Sequence, residues 1–224
     1  MCGRFVQAQD PAEYAEHFGA ALSVTESLAP SWNVAPTNQI YAVAEHEDKR
    51  RLGTFRWGLI PWFAKDRKIG ARLINARAET VHSKASFKDS LINRRCLIPV
   101  DGFYEWERME SGGKLPHYLF RKDGSPLALA GLWASWSDEE GDRITSCTVI
   151  TTSPNDLVAP IHDRMPVVLV EGAWDRWLDP GFGDIEELRS MLTPLDPAVM
   201  AEYPVSTLVN RVANNFPECI EPLT

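Results

Sequence analysis

Cysteine is scarce in this 224-residue chain, and its four examples, Cys2, Cys96, Cys147 and Cys219, stand far apart. They form no CxxC pair and join no His cluster at zinc spacing. No metal and no disulfide framework is therefore expected, and in a reducing compartment all four are expected to be free thiols. No apolar run approaches the roughly 20 residues that a membrane span requires. The start, Met1-Cys2-Gly3-Arg4-Phe5, lacks the basic opening and long apolar middle of a signal peptide, so a cytoplasmic protein is expected. Repeats, low-complexity tracts and interdomain linkers are missing too. What remains is an ordinary globular composition, 44% hydrophobic and 24% charged. A chain of this length buries roughly 70% of its extended surface on folding, enough for one core without a staple. One domain over residues 1–224 is expected.

The net charge of −8 argues against a nucleic-acid partner, but its distribution does not. From Arg50 to Arg95 there are twelve Lys and Arg against three acids, a local balance of +9 that leaves −17 on the rest. Charge segregated in this way can present a basic cleft to phosphates on an otherwise acidic protein. A solvated basic face would look the same in sequence.

Asp10-Pro11-Ala12-Glu13 places an acid at a helix cap and Pro at the first helical position, which predicts a helix to about Phe18-Gly19. Short β-rich runs follow at Ile40–Ala44, Cys96–Val100, Phe103–Trp106, Tyr118–Arg121, Leu127–Trp133, Thr145–Thr151 and Val167–Val170, separated by turn residues. Helical patterns return at Gly172–Leu178 and, behind Asp184, at Ile185–Leu192. The expected class is α+β, a mainly antiparallel, barrel-like sheet flanked by short helices.

Cys2 follows the initiator Met, and its small side chain favours removal of Met1. The mature chain would then begin with an amine of pKa near 8 beside a thiol near 8.5, both partly nucleophilic at neutral pH. The amine can serve the thiol as base, or both can attack one aldehyde carbon and close a thiazolidine ring. In Ile74–Thr80, Asn75, Arg77 and Glu79 share one face if the segment is extended. Asp101–Trp106 sets Glu105 among three aromatics, where burial would raise its pKa and suit it to acid–base work. Ile161–Pro166 holds His162 between an acid and a cation. Trp57–Lys65 interleaves aromatics with Gly and Pro just before Arg67 and Lys68, a pattern suited to stacking bases while cations follow phosphates.

Taken in order, Met1–Phe5, Trp32–Thr37, Trp57–Pro61, Ile74–Thr80, Asp101–Trp106, Ile161–Pro166 and Pro204–Ser206 with Val209-Asn210 resemble, nearly end to end, the SRAP family of SOS-response-associated peptidases or abasic-site-processing proteins. The resemblance implies a monomeric domain, without cofactor, that binds single-stranded DNA. It further implies capture of an abasic site's ring-opened aldehyde on Cys2 and a thiazolidine DNA–protein crosslink, with slow self-reversal open to the same chemistry. Carried over by position, the catalytic residues are Cys2, Asn75, Glu105 and His162. The DNA contacts are Arg4, Asn33, Pro36, Trp62, Phe63, Arg77, Thr151 and Arg164. Phe63 stands where Trp is common, and Ala85, beside Lys84, where a basic residue is usual. An imine at C1′ acidifies the neighbouring sugar hydrogens, so lyase-type elimination is open if ring closure fails; the resemblance further implies removal of Met1, by the protein itself or by an aminopeptidase, with proteins of a replication fork as partners and a nucleoid location when bound to DNA.

Two other readings use the same residues. An N-terminal nucleophile amidohydrolase of the glutamine amidotransferase kind would turn Cys2 on an amide and leave the aromatic and basic stretch unused. A non-covalent reader of single-stranded or modified DNA would leave Cys2 unused.

Overall fold

Hydrophobic alternation along the central strands is carried on both faces, so the sheet is buried on both sides rather than open to water on one. The computed structural model describes every residue except Met1, Thr25, Asp48 and Thr224. Among the described residues the strands are β1 (Phe5–Gln7), β2 (Ala21–Leu22), β3 (Ser31–Val34), β4 (Gln39–His46), β5 (Lys49–Trp57), β6 (Asn75–Arg77), β7 (Arg95–Val100), β8 (Gly102–Arg108), β9 (Lys114–Arg121), β10 (Leu127–Ser137), β11 (Arg143–Thr152), β12 (Met165–Pro166) and β13 (Met200–Pro204). Four short α-helices accompany them, α1 (Pro11–His17), α2 (Lys88–Asn93), α3 (Glu171–Leu178) and α4 (Ile185–Ser190), with four 3-10 turns.

Antiparallel pairing runs β11-β10-β7-β4-β5, and β5 returns to β11 through a parallel contact that sets Ser146 opposite Arg56 and Cys147 opposite Trp57. These five strands form a closed barrel, which removes the sheet edges on which other chains could add. A second sheet, β13-β9-β8-β1-β3, packs beside it. Ile40, Ala42, Ile98, Leu129 and Val149 join Phe5, Phe103 and Leu119 of that second sheet in one apolar cluster. The opposite faces, with Tyr41, Val43, Leu97 and Ala130, pack against helix residues Tyr14, Trp174, Trp177 and Leu188. The chain is therefore one α+β domain of mostly antiparallel β-structure.

Asp10 caps α1 by accepting the Ala12 N–H at 2.8 Å, as its sequence predicts. Two expectations fail. Val167–Val170 is not a regular strand: the β12 ladder ends at Pro166, and beyond it Val167 and Leu169 bond to the backbone of β10 and β11 around an isolated bridge from Val168 to Leu129. The Arg50–Arg95 segment is not a single basic face. Arg50 pairs with Asp175, Arg51 reaches Glu47 and Arg56 donates to the Thr37 carbonyl, all on or near β5. Lys65, Arg67, Lys68, Arg72 and Arg77 stay exposed.

Arg95 is buried, 2% exposed, and donates to the carbonyls of Leu91 and Ile92 in α2, of Trp177 in α3, and of Asp179 and Phe182 beyond it. Helix C-termini leave carbonyls without partners and carry partial negative charge, so one guanidinium satisfies two helix ends at once. Burial still lowers its pKa to about 10. Arg95→Ala is expected to cost about 3 kcal/mol or more, because several buried carbonyls lose their donor together. Urea unfolding tests this, and a loss below about 1 kcal/mol would show the carbonyls to be served by water instead.

Candidate active site

Four segments distant in sequence meet beside the start of β1. Asn75, first residue of β6, reaches it because β6 pairs in parallel with β11, Asn75 lying opposite Val149. Its Nδ2 donates to the Cys2 carbonyl at 2.8 Å, while its Oδ1 is buried with no hydrogen-bond partner among the described residues. Glu105 lies on β8, paired across to His117 on β9, and is 1% exposed. His162 ends a turn that Asn155 anchors: the Asn155 Oδ1 accepts the Val158 N–H at 3.0 Å, and its Nδ2 donates to the Leu195 carbonyl at 2.8 Å. That turn brings His162 Nε2 to 3.8 Å from Glu105 Oε2. Cys2 itself is fully buried.

Burial dominates the electrostatics. It raises the Glu105 carboxyl to about 7, lowers the His162 imidazole, and pushes the Cys2 thiol far above its ordinary range, with Glu105 adding to the rise. Near neutral pH the site thus holds a carboxyl on the edge of ionisation beside an imidazole that favours its neutral form. Groups with pKa values shifted toward one another in this way are what proton exchange at pH 7 requires. His162 Nδ1 accepts the Arg164 backbone N–H at 3.0 Å and lies 2.9 Å from Asp163 Oδ1. The neutral ring is served by the first contact and the protonated ring by the second.

The other candidate residues divide into two groups. Trp62 and Phe63 are 62% and 47% exposed with their rings edge-to-face, and Arg77 also faces solvent. They lie on or beside a loop that leaves β5 at Trp57 and returns into β6, the strand bearing Asn75. Its base is pinched where Gly58, at φ 122°, meets Gly70. A Cβ on Gly58 would lie 2.5 Å from the Gly70 carbonyl oxygen, so only glycine fits. Pro36 is half-buried, in a turn where Thr37 holds φ 74°.

The second group is tied into the fold. Asn33 is 2% exposed, and its Nδ2 donates to the carbonyls of Val209, Arg211 and Asn214, fastening the C-terminal segment. Arg4 Nη1 donates to Asn33 Oδ1 at 2.7 Å and to the Val209 carbonyl at 2.8 Å. Thr151 is fully buried, its hydroxyl without a partner among the described residues. Arg164 is held by Glu79 and the Thr151 carbonyl. Glu79 does not share a face with Asn75 and Arg77, because β6 ends at Arg77 and the chain turns. The expected loss of Met1 concerns a residue outside the described ones.

Sequence reasoning missed Asn155, which carries no motif, and Lys114, whose charge acts on both Glu105 and His162. Asn210 stands in the Val209-Asn210 stretch, but its contact was not legible: it accepts from Trp106 Nε1 at 2.8 Å beside a cavity of about 380 Å³ shared with Gly3, Arg4 and Lys114. No pattern marks these contacts before folding.

The SOS response associated peptidase (SRAP) family matches residues 1–212. The abasic site processing protein YoqW of Bacillus subtilis is 45% identical over 222 residues, covering 99% of each chain. The abasic site processing protein YedK of Escherichia coli is 30% identical, covering all of both. A crystal structure of a Bacteroides thetaiotaomicron protein superposes at a TM-score of 0.90, with 26% identity and both chains covered completely. With the barrel, the meeting of Cys2, Asn75, Glu105 and His162, and this end-to-end likeness in hand, the chain belongs to the SRAP family.

Proposed function

We propose that this protein processes abasic sites in single-stranded DNA, capturing the open aldehyde on Cys2 as a thiazolidine crosslink that shields the lesion. The observation that carries the reading is buried Glu105 facing half-buried His162 beside Cys2, with the Glu105 carboxyl raised to about 7. Its relatives bear the name abasic site processing protein, which agrees with that chemistry. Removal of Met1, by the protein itself or by an aminopeptidase, is a condition of the reading.

The steps balance as follows. His162 gives its Nε2 proton to the ring oxygen and takes the hydroxyl proton of the closed sugar back at the same nitrogen, which frees the C1′ aldehyde. The Cys2 amine adds to C1′ as a carbinolamine, with Asn75 Oδ1 available to hold its N–H. Protonated Glu105 gives its proton to the departing hydroxyl, and water leaves. The Glu105 carboxylate then accepts the thiol proton as sulfur closes on the imine carbon, so the acid is regenerated. No preformed thiolate is needed, which suits a thiol whose pKa burial has raised. Closure is intramolecular, and well-oriented groups reach effective molarities of about 10⁵ M or more. The same transfers run in reverse allow slow release.

Trp62 and Phe63 provide faces for base stacking, with Arg77 and the exposed lysines and arginines around them following the backbone. A purely non-covalent reader would have no use for the Glu105–His162 pair. The deciding experiment is a denaturing gel of protein incubated with a single strand bearing one abasic site. A covalent band absent with undamaged DNA is expected, and failure to form it would overturn the crosslinking reading.

Arg77 and Arg4 should part company. Arg77→Ala is expected to make the slope of log affinity against log salt shallower by about 0.7, without a change in melting. Arg4→Ala is expected to lower the melting temperature, because Arg4 ties Asn33 to the C-terminal segment. Binding across a salt series in a crosslinking-deficient background, beside thermal melts, checks both. An unchanged slope for Arg77→Ala would remove it from the DNA path.

A further inference from the structure

We propose that Glu79 is a positioning residue for His162, acting through Arg164; the catalytic part of this inference rests on the reading above. The Glu79 carboxylate grips Arg164 with two hydrogen bonds, Nη1 to Oε1 at 2.6 Å and Nη2 to Oε2 at 3.0 Å, and Arg164 Nη2 also reaches the Thr151 carbonyl at 2.6 Å. One guanidinium therefore joins the turn after β6, the end of β11 and the loop that carries His162. Planar two-point pairing of this kind constrains orientation as well as distance.

What that orientation fixes is the backbone of residue 164, whose N–H donates to His162 Nδ1 at 3.0 Å. A ring nitrogen that accepts carries no proton, so this contact selects the neutral tautomer protonated at Nε2. Nε2 is the nitrogen that lies 3.8 Å from Glu105 Oε2. Asp163 opposes the choice: its Oδ1, 2.9 Å from Nδ1, would be satisfied by the other tautomer. Among the described residues, Glu105, Asp163 and Lys114 act on the ring electrostatically, and the Arg164 N–H is a neutral donor that favours the proton on Nε2. The clamp from Glu79 keeps that donor aimed. Glu79 is itself half-exposed and Arg164 largely covered, so the carboxylate serves as an outer brace on an inner arm.

A competing role follows from the same contacts. The Glu79 carboxylate could instead occupy the position on Arg164 that a DNA phosphate takes, in which case its removal would tighten DNA binding and speed capture.

The test uses the full chain labelled with ¹⁵N-histidine, with Glu79→Ala and the milder Glu79→Gln, which keeps one acceptor. Above the His162 titration, the parent is expected to show one imidazole tautomer with the proton on Nε2. Glu79→Ala is expected to shift the pattern toward Nδ1, and Glu79→Gln less so. In single-turnover capture of an abasic strand, Glu79→Ala is expected to be about tenfold slower or more at saturation, with DNA affinity within twofold of the parent. Unchanged ¹⁵N shifts in both variants overturn the proposal, as does tighter DNA binding with faster capture. Should Glu79→Ala fail to fold, the Glu79→Gln spectrum decides alone. If the parent forms no crosslink, the abasic reading fails while the tautomer measurement still decides the role of Glu79.

Discussion

Cys2→Ala is expected to abolish the detergent- and heat-stable adduct with abasic DNA altogether. The ring requires sulfur, and alanine leaves an amine that can go no further than an imine. That imine is reversible in water, so an adduct should appear only when borohydride reduces it to an amine. Cys2 is fully buried and packs in the cluster that links the barrel to the second sheet, so the smaller side chain leaves a small void and some lost stability. A melting curve beside the gel separates lost chemistry from lost fold. A stable adduct formed by Cys2→Ala without reductant would sink the thiazolidine mechanism. Protein that retains Met1 is expected to be as inert, because its Cys2 nitrogen is an amide.

Glu105→Gln is expected to slow capture by about 10²-fold or more while leaving DNA binding intact, because it keeps the shape and removes the titrating proton. It should also stabilise the protein at high pH. Burial holds the Glu105 carboxyl at about 7 against its ordinary 4.5, so the folded state keeps a proton that the unfolded chain has already released. Stability is therefore full below about pH 4.5, falls as pH rises toward 7 and stays reduced above it. A shift of this size corresponds to roughly 3 kcal/mol. Glutamine does not titrate, so Glu105→Gln should melt above the parent at pH 8, with most of the difference gone by pH 5 and the rest lost below about pH 4.5. Parallel melting temperatures across that range would mean that Glu105 is solvated, and an unchanged single-turnover rate would move the acid–base role elsewhere.

The sequence made the site's contributors readable for a local reason: each sits in a short stretch whose polar residues interrupt an apolar run, as Glu105 does among Phe103, Tyr104 and Trp106. Strands with β-branched or aromatic alternation, such as Cys96–Val100 and Thr145–Thr151, were readable likewise. β5 was not, because its opening Lys49-Arg50-Arg51 reads as surface while the arginines in fact pair with Asp175, Glu47 and backbone carbonyls. Long-range closure was equally hidden. Nothing in Ile74–Thr80 says that the strand stops at Arg77, and the Glu79–Arg164 pair spans 85 residues. The inward turn of Asn33 depends on carbonyls in the C-terminal segment, near the far end of the chain. Burial of Arg95 depends on two helix ends meeting, a property of packing that no window of residues contains.

The glycine pinch between Gly58 and Gly70 separates two kinds of change that a protein of this type can undergo. Because the loop's base is closed by backbone against backbone, substitutions at the exposed Trp62, Phe63, Lys65, Arg67 and Lys68 are expected to alter the displayed rings and charges while β6 and Asn75 keep their geometry. On the proposed reading, contacts to flanking nucleotides could then change without moving Asn75, Glu105 and His162. An alanine at either glycine would couple the two again, passing every change in the exposed loop into the reaction centre.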